Sequence, residues 1–195
     1  VNLELKDTGQ RTPLELVISK ISQMKITMFS GEQIRDHFRN LIYQGAFINP
    51  EDKDTLSAIM NVFERNKLLQ AIILGNYDEA LKLSSTLKDP KDLVNCAHWI
   101  DALKFSVAQG HDEIVKYLLS LDDEFTVISP RGITRYIMHL EQVLIPRFER
   151  MLQDTNLSEL DHGRYKKRLD CYKEIRLRLR ATLMLPLESL QGCLI

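Results

Sequence analysis

The chain has 195 residues, and its 44% hydrophobic and 27% charged residues fit a soluble globular protein and argue against disorder. Its formal net charge of −1 argues against a role of the whole chain in binding nucleic acid or membranes by charge. Its three cysteines are widely spaced, which argues against a disulfide framework and favours a reducing, cytoplasmic setting. The first residue is Val rather than Met, so we expect a fragment of a longer protein, and neither a membrane-spanning run nor a signal peptide is visible.

Helical periodicity dominates the first part of the chain, and we expect an all-α fold. Thr12 and Pro13 open the first helix, because Thr is a good N-cap and Pro needs no hydrogen-bond partner at the first helical position. Ser30 is expected to cap the second helix, and Gly45 follows that helix in the position of a C-terminal cap. The segment from Pro13 through Met28 is predicted to be an extended first helix or a helix plus a loop. The next predicted helices are 31–43, 54–64, 66–74, 78–87 and 92–100, followed by two short helices within 101–120.

The sequence pattern changes after about residue 125, from short helical segments to long ones. Apolar residues recur at steps of three or four from Pro130 onward, and Pro146 should kink that helix. A second long helix is predicted for 158–185, with Pro186 at its end. Two long helices joined by a short loop form an antiparallel hairpin. The predicted domains are therefore 1–125, made of short paired helices, and 126–195, the C-terminal hairpin.

Several stretches of the first domain resemble the ankyrin repeat, a helical unit of about 33 residues. Thr12–Leu14 resembles the opening of a repeat, and Leu41–Asn49 resembles its close and the turn into the next one. Leu103–Leu119 resembles the middle of a repeat without a gap, and Leu68–Leu83 is a weaker copy. A two-turn helix is unstable alone in water, so such pairs need neighbours of their own kind.

The match to ankyrin repeats has departures. Gln10 stands where the family places Gly, and Glu15 and Lys104 stand where His is usual. The first repeat must also carry an insertion, which we place within 18–30. Tyr77–Leu81 is similar to the opening of a tetratricopeptide helix, so other helical-hairpin repeats and an unrelated all-α domain stay open as alternatives.

The resemblance implies a solenoid that binds another protein through projecting turns and the exposed sides of its first helices, without catalysis or a cofactor. The positions that match this surface are Asp7, Gln10, Arg11, Glu15, Asp52, Lys53, Trp99, Asp101, Lys104 and Gln109. Divergent repeats joined to an unfamiliar helical region look like an effector of an intracellular bacterium, which would act in the cytoplasm of its host.

Few residues in the sequence indicate a catalytic or metal-binding site. Cys96 and His98 are too few for a zinc site, and no third group is located that would make them a nucleophilic pair. Asp122–Glu124 lacks the alternating ligands of a calcium loop and is interpreted as a solvated turn. We therefore predict neither a catalytic residue nor a metal site.

A basic run between residues 164 and 180 supplies the main alternative function. One face of this helix is apolar and the other cationic, which suits an anionic membrane surface, a phosphate-rich ligand or an acidic partner. The cationic face comprises Arg164, Lys167, Arg168, Arg176 and Arg180. The structural interpretation is a solvated face of a helix packed by its Tyr and Leu residues. A second alternative is an accessory region of a larger enzyme whose catalytic domain lies outside this chain.

Overall fold

The computed structural model describes residues 6, 8, 11–23, 28–49, 51–63, 66–85, 93–120, 129–155 and 157–191, with only the backbone described at 22, 23, 28–31, 84, 85, 93–100 and 185–191. In order, the helices are α1 (Pro13–Gln23), α2 (Met28–Tyr43), α3 (Lys53–Val62), α4 (Lys67–Ile73), α5 (Tyr77–Ser85), α6 (Leu93–Gln109), α7 (Asp112–Ser120), α8 (Pro130–His139), a π turn (Leu140–Leu144), α9 (Ile145–Met151) and α10 (Glu159–Gln191). The predicted all-α class is confirmed for these residues, which contain no strand. A bilayer-spanning helix, both long and apolar enough, is absent from the described ranges.

Polar side chains fix where several helices begin. The Thr12 side chain accepts a hydrogen bond from the Glu15 backbone N–H at 3.3 Å, and the Glu15 carboxylate accepts one from the Thr12 N–H at 2.7 Å. This reciprocal pair satisfies two N–H groups that the first turn leaves without helical partners. The side chains of Asp52, Asn66 and Ser129 cap α3, α4 and α8 in the same general way. The predicted helix starts at Pro13 and Pro130 are confirmed.

Three glycines end α2, α4 and α6 in the same conformation. Gly45 has a φ of 81°, and Gly75 and Gly110 each have a φ of 70°, a region that side chains other than glycine adopt only with strain. After α2, the Gly45 N–H donates to the Ile42 carbonyl at 2.9 Å, and the next N–H donates to a carbonyl five residues back at 3.0 Å. This is the Schellman pattern, and it recurs at the other two glycines. The predicted C-terminal cap at Gly45 is confirmed.

Three predicted helix boundaries are corrected. Ser30 does not cap α2, which begins at Met28 and places Ser30 in its first turn, where Ser is tolerated. The helices predicted on either side of Ile100 are a single one, Leu93–Gln109, because neither Gly nor Pro interrupts that stretch. Pro186 lies inside α10 rather than at its end, since a proline late in a helix removes one hydrogen bond without ending the helix. The first helix is described to Gln23, and residues 24–27 lie outside the described residues.

The predicted irregularity around Pro146 is present as a π turn. Leu140–Leu144 winds more widely between α8 and α9, and Pro146 occupies the first turn of α9. Proline has no N–H, and its ring crowds the carbonyl four residues earlier, so a local change in winding relieves the conflict.

The helices pack into one continuous hydrophobic core. The pair α4 and α5 lies against the pair α6 and α7, with α4 facing α6 and α5 facing α7. On the other side, α2 packs on α6, and α10 packs along α7, α8 and α9. Core residues such as Phe38, Leu103 and Tyr172 are fully buried and come from both predicted domains. The predicted boundary near residue 125 lies outside the described residues.

Helix α7 packs on α5, α6 and α10. Leu118 is 1% exposed but lines a small apolar gap with Leu68 and Ala80, on the side of α4 and α5. The C-terminal helix that covers α7 is α10.

Candidate functional site: a groove between α2 and α6

A groove of about 750 Å³ runs between α2 and α6 on the surface of the protein. Helix α2 forms one wall with Arg35, Asp36, Arg39 and Asn40. Helix α6 forms the other wall with Asp101, Lys104 and Phe105. The floor comes from the end of α3 and the start of α4, with Val62, Phe63, Asn66 and Leu69.

The floor of the groove contains two buried aromatic rings. The rings of Phe63 and Phe105 meet edge to face with centroids 5.6 Å apart, and both residues are buried. The Arg39 guanidinium lies 5.6 Å from the centroid of the Phe63 ring and donates to the Asp36 carboxylate at 3.1 Å. Arg39 also donates to the Val62 carbonyl at 3.5 Å, so one cation is held across the floor by contacts with three residues.

Lys104 is held at the edge of the groove by an aromatic stack. Its ammonium lies 4.2 Å from the centroid of the Tyr43 ring. The Tyr43 ring stacks on His139 with centroids 4.5 Å apart and planes 6° from parallel. Burial lowers the pKa of His139 and raises that of Tyr43, which favours the neutral form of both rings. The Lys104 ammonium therefore lies next to a stack of two neutral rings, which adds no second positive charge.

Of the predicted partner-binding residues that the structure describes, Asp101 and Lys104 line the groove. Arg11 and Glu15 are exposed near the start of α1, and Asp52 and Lys53 are exposed at the start of α3. The pKa of Asp52 is lowered by hydrogen bonds from Thr55, as expected for a capping carboxylate. Asp7, Gln10 and the side chain of Trp99 lie outside the described residues.

Gln109 is not a surface residue, contrary to the prediction. It is 2% exposed, and its Nε2 donates to the Ile42 carbonyl at 2.8 Å. Its Oε1 accepts a hydrogen bond from Arg168 at 3.2 Å. Because all these partners are internal, Gln109 joins α6 to the end of α2 and to α10 and is not placed to touch another protein.

The predicted cationic face of α10 is divided by internal contacts. Arg168 lies 4.5 Å from the centroid of the Phe47 ring, and Arg176 lies 3.9 Å from the Glu141 carboxylate. Arg180 pairs with the same Glu141, and Arg178, which was not assigned to this face, pairs with Asp112 through two contacts of 3.0 Å. The other two predicted members are more open: Lys167 is exposed, and the Arg164 side chain is 53% exposed at 3.9 Å from Asp161. Glu141 of the π turn thus pairs with two of the five predicted members of the face.

Sequence reasoning missed the α2 wall and the floor of the groove. Arg35 and Arg39 are four residues apart, a spacing that places them on one side of a helix and could have indicated a basic ridge. The position of Phe63 beneath them depends on the packing of α2, α3 and α6, which local periodicity does not predict.

The sequence matches no protein-family model, and no significant match is found among curated proteins or solved structures. The groove offers cations, carboxylates and amides above buried aromatic rings, which suits the binding of a polar segment.

Proposed function

We propose that this chain is a non-catalytic protein-binding module and that the groove between α2 and α6 is its contact surface. The observation that carries the proposal is the combination of charged walls and a fixed aromatic floor. Protein interfaces are enriched in arginine and aromatic residues and concentrate their binding energy in a few anchored positions. Arg39 over Phe63 and Lys104 over Tyr43 are anchored cations of this kind.

The helix packing supports the related proposal of an ankyrin-like solenoid. The pairs α4–α5 and α6–α7 lie side by side with equivalent helices facing each other. The first helix of each pair ends in a glycine of positive φ, at Gly75 and Gly110. Asp101 and Lys104 then lie on the first helix of a unit, where the resemblance places partner contacts. We further propose that the region from α8 to α10 is a helical hairpin that covers the last pair, because α10 packs on α7, α8 and α9.

The proposal is tested by capture with matched charge variants. The groove variant carries Arg35→Glu and Lys104→Glu. The control carries Lys20→Glu and Lys116→Glu, which change the net charge equally at exposed positions of α1 and α7. Each protein is immobilised, exposed to a lysate of the cells in which it resides and analysed by quantitative mass spectrometry, with circular dichroism as a check of folding.

The expected result is at least one protein that the wild type and the control retain equally and that the groove variant loses about tenfold, or about 1.4 kcal/mol. Equal retention of every captured protein by the folded groove variant would show that the groove is not the contact surface.

A further inference from the structure

We infer that the groove receives an acidic segment of the partner protein, an inference that rests on the proposed function. Among the described residues, Arg35 and Lys104 have no carboxylate partner, and they stand on opposite walls of the groove above buried aromatic rings.

The groove has an excess of unpaired positive charge. Its walls carry Arg35, Arg39 and Lys104 against Asp36 and Asp101. Arg39 and Asp36 already form an ion pair at 3.1 Å, and they neutralise each other. Among the described residues, Arg35 has a 3.4 Å hydrogen bond to the Asn61 side-chain oxygen, and Lys104 contacts the Tyr43 ring; neither forms an ion pair. Within the described part of the chain, two unpaired cations thus face one unpaired carboxylate, that of Asp101.

The surroundings of these cations favour a carboxylate as their partner. Both side chains are partly buried, so they have lost part of their hydration without gaining an opposite charge. Phe63 and Phe105 are buried in the same groove, so the surface below its charged walls is apolar. A carboxylate bound there forms charge-assisted hydrogen bonds in surroundings of lower dielectric, where such bonds are stronger than on an open surface.

Asp101 makes the charge along the groove uneven. It lies three residues before Lys104 on α6, so both side chains are on one side of the helix, one turn apart. Its exposed carboxylate repels an acidic segment at that end of the groove. The acidic residues of the partner are therefore placed toward Arg35 and Lys104, and removal of the Asp101 charge is expected to strengthen their binding.

The probe for this inference is a displayed library of random short peptides, selected on the full chain and counter-selected on the Arg35→Glu and Lys104→Glu variant. The selected peptides are expected to be enriched in Asp and Glu. In anisotropy titrations with one selected peptide, Lys104→Glu is expected to weaken binding at least tenfold, and Asp101→Asn to tighten it two- to fivefold. Lys20→Glu, at an exposed position of α1, is the control and should leave the affinity unchanged.

Replacing the acidic residues of that peptide by Gln or Asn should also weaken binding about tenfold, and added salt should weaken it further. No enrichment, enrichment of neutral or basic sequences, or weaker binding by Asp101→Asn would each overturn the inference. The inference would also be overturned if the groove bound a second copy of the chain or a membrane instead. These occupants would be detected as Lys104-dependent self-association in sedimentation or as Lys104-dependent binding to phosphatidylserine vesicles.

The inference and the proposed function fail in different ways. Capture of a protein through the groove, followed by cross-linking to a neutral or basic segment, would keep the function and overturn the acidic partner. Absence of any groove-dependent protein would overturn the function, even if acidic peptides bound.

Discussion

Helix α6 has one open side and one closed side, and its polar residues have different roles on each. On the open side, Asp101 and Lys104 line the groove. On the closed side, two turns further along, Ala108 and Gln109 are buried beneath α10. A polar residue on a first helix is therefore available to a partner only where no later helix covers it.

The closed side is held by side chains that bond to the C-terminal ends of α2 and α6. The Tyr172 hydroxyl donates to the Ala108 carbonyl at 2.6 Å. Arg147 donates to the Gln44 carbonyl at 2.6 Å, and Arg168 donates to the Gly45 carbonyl at 3.5 Å. Carbonyls at helix C-terminal ends lack helical partners and carry partial negative charge, so hydroxyl and guanidinium donors satisfy them. This comparison predicts that changes on the closed side alter stability and that changes on the open side alter binding.

The largest expected effect comes from Tyr172 on the closed side. Tyr172 is fully buried, and Tyr172→Ala leaves a large cavity and unpairs the Ala108 carbonyl. We expect a loss of about 3–5 kcal/mol in the free energy of unfolding, measured by urea denaturation. Tyr172→Phe keeps the ring and removes only the hydroxyl, so it should cost about 1 kcal/mol. A loss below about 1 kcal/mol for Tyr172→Ala would contradict the closed side as described.

The next effect is a pH dependence that originates at His111, the residue after Gly110. Burial and the charge of Arg168 lower the pKa of His111 to about 4 from 6.5, and its Nε2 is buried without a hydrogen-bond partner in the described part of the chain. The folded protein thus holds the imidazole neutral, whereas the unfolded chain binds a proton below pH 6.5. The contribution of the neutral His111 to the free energy of unfolding is fully present above pH 6.5 and is lost as the pH falls toward 4.

The loss amounts to about 3 kcal/mol at most. It is measured as the difference between wild type and His111→Asn in urea denaturation across that pH range, because carboxylates common to both proteins cancel. Parallel stability curves for the two proteins would show that His111 does not titrate in this way.

A glycine pair tests the closed side with effects of opposite sign. A Cβ on Gly45 would lie 3.0 Å from Leu144 Cδ2 and 3.1 Å from the Tyr172 hydroxyl, at a φ of 81°. Gly45→Ala is therefore expected to cost about 2 kcal/mol. Gly163 lies in α10, and a Cβ there meets no heavy atom within 4 Å among the described residues, so Gly163→Ala should stabilise by about 0.5–1 kcal/mol. Thermal denaturation of both variants checks the prediction, and equal shifts in the same direction would contradict it.

The two sides of α6 also differ in how far the sequence predicts them. Gly45 and Gly110 each end a periodic apolar segment, so the helix ends could be predicted locally. The burial of Gln109 could not be predicted, because glutamine is usually a surface residue and the Ile42 carbonyl that its side chain contacts is 67 positions away in the sequence. The α2 wall of the groove depends in the same way on packing between distant helices. The resemblance to ankyrin repeats predicted Lys104 and Asp101 as contact residues, and only the tertiary arrangement adds Arg35 and Arg39 to them.

The smallest expected effect on stability separates the two sides most directly. Lys104→Met keeps the aliphatic stem and removes a cation above the Tyr43 ring, so we expect a loss of only about 0.5–1 kcal/mol in stability. Its matched variant is Arg168→Met, which removes a guanidinium that hydrogen bonds to the buried side chain of Gln109 and should cost about 1.5–3 kcal/mol. The same two proteins are titrated with the acidic peptide, for which Lys104→Met should bind about tenfold more weakly and Arg168→Met as tightly as the wild type. A peptide affinity that depends on Arg168 more than on Lys104 would move the contact surface from the open side of α6 to α10.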